Sequence, residues 1–110
     1  MAQTVHQTTI TITPPAVQTG VTITRYDVFK AIASGAYGTT PYGSVNAGGT
    51  PTAVVTFVDT TPVQGQTSFF ITRSFCPTCT FTSSVNSNEI SGTTPVDTKP
   101  NAPGISGVFQ

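Results

Sequence analysis

The chain has 110 residues, enough for one domain with a modest core, and only 7% of them are charged, four basic against four acidic. A neutral, charge-poor chain carries no electrostatic footprint for nucleic acid or for an anionic membrane surface. No apolar run is long enough to span a bilayer as a helix, and "MAQTVHQTTITI" lacks the basic region and long apolar stretch of a secretory leader.

Thr, Val, Ser, Gly and Pro dominate, while Leu is absent and Glu and Met occur once each. β-branched residues are stiff at χ1 and fit a pleated surface. The expectation is therefore an all-β chain. In chain order, "TTITIT" alternates Thr and Ile and stops at Pro14-Pro15, which reads as a strand with one buried face. "GVTITRYDVFKA" reads as a longer strand. "SGAYGTTPYGSVNAGG" reads as a loop with a short strand around Tyr42 to Val45, and "PTAVVTFVD" as a strand ending at Asp59. "TTPVQGQ" marks a turn. "TSFFITRSF" is a strand, "CPTC" a tight turn, and "TFTSSVNSNEISGTTP" the partner strand. About six short strands at this spacing suit a β-sandwich. In "TSFFITRSF" one face carries Phe69, Ile71, Arg73 and Phe75, and the other Ser68, Phe70, Thr72 and Ser74. One of these faces is internal, which leaves bulky apolar side chains outside, either as scattered surface hydrophobics or as a face that a neighbour covers.

From His6 to Pro95 these segments, in order, resemble a fibronectin type III domain of the bacterial or phage type, an immunoglobulin-like β-sandwich. "TTITITPP" resembles the family's second strand. "GVTITRYDVFKA" resembles its third, with Tyr26, Val28, Phe29 and Lys30 in place. "VVTFVDTTPVQGQTSFFIT" and "SVNSNEISGTTP" resemble its later strands. Ile12 stands where the family usually has a core Trp, and Ser68 where it has a corner Tyr, so the core is lighter than the family's. The family's first strand has no counterpart ahead of "TTITIT". "KPNAPGISGVFQ" at the far end resembles it instead, with Ile105, Val108 and Phe109 as packing side chains.

The resemblance implies a sandwich over residues 1–95, a Pro-containing linker over 96–102 and a C-terminal strand over 103–110. Two outlets are open to that strand. It folds home, as in a circular permutant, or it completes the sheet of a neighbouring subunit; the remaining alternative is a plain disordered tail. The second, head-to-tail outlet builds a filament or a ring. The prolines of the linker favour reaching outward.

Cys76-Pro-Thr-Cys79 lies between strands, without the helix N-terminus that lowers a redox thiol's pKa, and supplies two of the four ligands a structural zinc site needs. It reads as a disulfide across a hairpin tip or as two reduced thiols. His6 with Asp27, Asp59, Glu89 and Asp97 forms no recognisable hydrolytic set. Asp59 is expected to cap a turn, and Glu89 to hold a loop. No catalytic residue, metal ligand or cofactor is expected. The reading is a non-enzymatic subunit of an extracellular filament or virion surface, a homo-oligomer or polymer joined through Ile105, Val108 and Phe109. Phe69, Ile71 and Phe75 are secondary contacts. The alternative is a monomeric adhesion module that binds a glycan or protein through Tyr37 and Tyr42.

Overall fold

A computed structural model describes residues 6–48, 50, 52–97 and 103–109. Among the described residues there are six strands and no helix: β1 (Thr8–Ile12), β2 (Arg25–Ala31), β3 (Gly43–Asn46), β4 (Val55–Asp59), β5 (Thr67–Phe75) and β6 (Ile90–Thr93). They form two antiparallel sheets, one with the order β1-β4 and one with the order β3-β2-β5-β6. The protein is an all-β sandwich.

The alternation of "TTITI" turns Ile10 and Ile12 inward from β1. They meet Tyr26 and Val28 of β2 and Phe70 of β5, with Val45, Val55 and Phe57 packed around them. β5 therefore turns Ser68 and Phe70 inward. Opposite residues of an antiparallel pair share a face, so the outer face of the larger sheet carries Phe29, Ala31, Phe69, Ile71, Arg73 and Phe75. Ile71 is only 3% exposed. It was expected as a surface contact, and the structure corrects this. β5 is a central strand, and Ile71 sits opposite Phe29 of β2, one residue past the end of the β6 ladder. Phe69 and Phe75 are half-buried. The Arg25 guanidinium lies 3.7 Å from the centre of the Phe75 ring, and that of Arg73 4.8 Å from the Phe29 ring.

The two sides of the sandwich differ. On the β3–β4 side the sheets close tightly: a Cβ at Gly43 would lie 2.6 Å from the Phe57 ring. On the β1–β6 side they do not. There, β1 pairs with β4 along one edge and has no strand on its other edge among the described residues.

Candidate assembly site

A groove follows that open edge of β1. At one pole it is lined by Thr8, Ser68, Phe70 and Thr94, in its middle by Ile10, Ile12, Phe70 and Ile90, and at the far pole by Ile12, Tyr26, Cys76, Cys79 and Phe81. The far pole is the widest part, about 1070 Å³. Among the described residues no Asp, Glu, Lys or Arg lines any of the three stretches. Ser68, where the family resemblance anticipates a tyrosine, is 4% exposed, and its hydroxyl has no hydrogen-bond partner among the described residues. A buried hydroxyl left unpaired is unfavourable, and this one lies in the groove wall.

The near pole is also where the chain leaves the sandwich. Asp97 accepts a hydrogen bond from Gln64 Nε2 at 3.1 Å and pairs with His6 Nε2 at 2.7 Å, while its own N–H donates to Gln64 Oε1 at 3.1 Å. The departing chain is thus tied to the start of β1. Residues 98–102, most of the expected linker, lie outside the described residues. Segment 103–109 belongs to no strand of the subunit, and Ile105, Val108 and Phe109 are 98%, 84% and 99% exposed. The radius of gyration, 20.9 Å, is well above the roughly 13 Å of a compact chain of this length.

Cys76 and Cys79 form a disulfide with an S–S distance of 2.02 Å. The turn is set by the Cys79 N–H donating to the Cys76 carbonyl, and the Cys76 N–H bonds the Thr82 carbonyl at 2.8 Å. The bond thus fixes the wall of the groove's wide pole.

The tyrosines are placed apart. The Tyr37 hydroxyl donates to Glu89, which also accepts from Ser34 Oγ at 2.7 Å and from the Gly35 N–H at 3.3 Å. Glu89 therefore holds this loop. Burial, followed by the hydrogen bond to Glu89 and its charge, pushes the Tyr37 hydroxyl up to about 12. Hydrogen bonds from Tyr37 and Ser34 hold the Glu89 carboxyl below its usual value. Tyr42 donates to Asp59 at 2.7 Å and packs edge-on against Phe57. Its ring is half-exposed, but its hydroxyl is bound within the subunit.

Comparison with protein-family models, with curated proteins and with solved structures finds no match.

Three features escaped the sequence reading: the Lys30–Asp59 ion pair, the Asp97 clamp and the extent of the groove. Each joins residues far apart in the chain, by 29 positions for the ion pair and 91 for His6 and Asp97. No local pattern marks them. Among the described residues no group of three or more His, Cys, Asp or Glu side chains is placed to hold a metal ion, and no helix is long and apolar enough to cross a membrane.

Proposed function

We propose that this chain is a structural subunit of an ordered assembly, an extracellular filament or a virion surface, whose copies are joined by segment 103–109, and that its sandwich is fibronectin type III-like. The observation that carries the reading is the exposure of Ile105, Val108 and Phe109. Leaving such side chains in water forgoes about 1.5–3 kcal/mol each relative to burying them, and a chain of zero net charge does little to keep copies apart. The strand order supports the domain type. Sandwiches of this architecture place a first strand beside the second, and the strand resembling the second, β1, has that edge empty among the described residues. The disulfide is compatible with an oxidising, extracellular setting. The subunit is read as non-enzymatic.

Light scattering behind a sizing column tests the assembly. The full chain is expected at a large or polydisperse mass, and a chain lacking residues from Lys99 onward as a monomer. An assembly state unchanged by the deletion overturns the reading. The second reading, a monomeric binding module acting through Tyr37 and Tyr42, is favoured only by the half-exposed Tyr42 ring. Both hydroxyls are engaged inside the subunit, which leaves less for a ligand.

A further inference from the structure

We infer that the groove along β1 is the acceptor for segment 103–109 of a second copy, which enters at the disulfide pole and runs antiparallel to β1 with Ile105 and Phe109 turned inward and Val108 turned outward. This rests on the assembly reading and adds to it the seat, the direction and the face.

The match of occupant to seat has four parts. The groove needs a strand, because β1 has no strand on this edge among the described residues, and an open edge pairs best with another backbone. It needs an uncharged strand, because among the described residues no carboxylate, ammonium or guanidinium lines it. Segment 103–109, Pro-Gly-Ile-Ser-Gly-Val-Phe, carries no charge. It also needs polar backbone groups near Ser68, whose buried hydroxyl lacks a partner among the described residues. Lastly, β1 has five residues, and a seven-residue segment covers it with a residue to spare at each end.

Strand periodicity sets the face. Side chains two apart share a face, so Ile105, Gly107 and Phe109 go together and Ser106 and Val108 go opposite. The first set presents two large apolar groups about 13 Å apart with a glycine between them. The groove is narrow in its middle, where Ile10, Ile12 and Phe70 already fill the core. It opens at both poles. A large–none–large pattern fits that profile, with Ile105 at the wide disulfide pole and Phe109 toward Ser68.

Direction follows from where the chain departs. The clamp on Asp97 releases a subunit's own tail at the near pole, beside His6. An antiparallel strand must start at the opposite pole, beside Ile12. From Asp97 to Pro103 is six Cα steps, at most about 21 Å. Self-insertion in this direction would use most of that reach to run back along β1 before turning. A neighbour stacked on the disulfide pole delivers its tail there directly. Antiparallel pairs are also slightly the more stable. Since a subunit then receives at one pole and donates at the other, growth is head-to-tail.

The test uses the full chain carrying Ile105→Asp, which keeps its acceptor groove, and a synthetic peptide of residues 103–110 bearing a nitroxide at its N-terminus. Hydrogen exchange is expected to slow at least tenfold at alternate amides of Thr8–Ile12, with β3 and β6 unchanged. The nitroxide is expected to broaden signals near Ile12 rather than Thr8. Protection on β3 or β6, no protection, or broadening at Thr8 overturns the seat or its direction. In light scattering of the full chain, Ile105→Asp and Phe109→Asp are expected to dissolve the assembly while Val108→Asp keeps it, and the reverse pattern overturns the face. An assembly that needs the tail but protects another edge sinks this inference and leaves the assembly reading standing. A full-length monomer whose own tail protects β1 sinks both.

Discussion

Lys30 Nζ lies 2.6 Å from Asp59 Oδ2, joining the two sheets through an ion pair whose carboxylate is wholly buried. The Asp59 carboxylate also accepts from the Tyr42 hydroxyl and from the Thr61 N–H at 3.1 Å, so both oxygens are engaged. Removing one partner leaves a buried charge without compensation. Lys30→Met is therefore expected to destabilise the fold by about 3–5 kcal/mol. The double variant Lys30→Met, Asp59→Leu should recover much of that loss. Urea unfolding of these two variants and of Asp59→Leu alone measures it, and a double-variant loss equal to the sum of the two single losses would show that the ion pair does not couple the sites.

The same carboxylate makes stability depend on pH. Burial acts to raise its pKa, but hydrogen bonds from Lys30, Tyr42 and Thr61 outweigh burial and hold it below the ordinary value. The folded state thus binds the Asp59 proton more weakly than the unfolded state does. Its contribution is full above the unfolded pKa near 4 and falls as pH drops through the folded value. Thermal unfolding followed from pH 6 to pH 2 should show the midpoint falling below about pH 4. In Lys30→Met that acid-dependent fall should shrink.

On the alkaline side, Tyr37 is expected to stay protonated to about 12. Burial is the largest cause, and Glu89 adds a hydrogen bond and a charge. Glu89→Gln removes the charge, so the highest phenol midpoint in an ultraviolet titration should move down. An unmoved midpoint would mean that Glu89 does not face Tyr37 in solution.

The tight side of the sandwich makes a sharper steric prediction. A methyl at Gly43 would overlap the Phe57 ring, whereas one at Gly92 meets nothing within 4 Å. Gly43→Ala should cost about 1–3 kcal/mol, as overpacked sites do, and Gly92→Ala should stay within roughly 0.5 kcal/mol of the parent. Chemical denaturation of the pair checks both.

The disulfide closes a very short loop, so the loop-entropy model limits its contribution to about 2 kcal/mol. Cys76→Ser with Cys79→Ser should leave the protein folded, with a midpoint lower by no more than roughly 8–16 °C. A larger loss would mean that the buried Cys76 packs more of the core than its place at a hairpin tip implies.

Sequence and structure agree best where pattern and turn chemistry coincide. "TSFFITRSF" becomes β5 without a residue added or lost, because Gly65 takes the positive φ of the turn before it and the disulfide turn follows it. Its inward face was not decidable from alternation, since both faces are partly apolar. Val21 and Ile23 look like the start of β2, yet the strand begins at Arg25. Those residues cross between sheets, and Ile23 packs against the core there without a ladder of its own. The expected partner strand from Thr80 shrinks to Ile90–Thr93. Before it, Ser84 Oγ and Ser87 Oγ accept from the N–H groups of Ser74 and Thr72, where strand carbonyls would otherwise serve. Serine competes with backbone pairing in this way, so the segment from Thr80 meets β5 through separate backbone bonds and one isolated bridge at Ser83, and a ladder forms only from Ile90. The open edge of β1 was readable only through the family resemblance, because a pattern of alternation does not say how many neighbours a strand has.

The clamp at Asp97 bears on how a joined chain would carry load. Tension arriving through a subunit's own tail meets His6 and Gln64 first, at the pole where β1 begins. Tension from a tail seated antiparallel on β1 would arrive at the other pole. The two pulls then lie along the strand axis, and the backbone hydrogen bonds between β1 and its occupant are strained side by side instead of opening one after another like a zip. Such a joint would meet a sudden pull with all of those bonds at once.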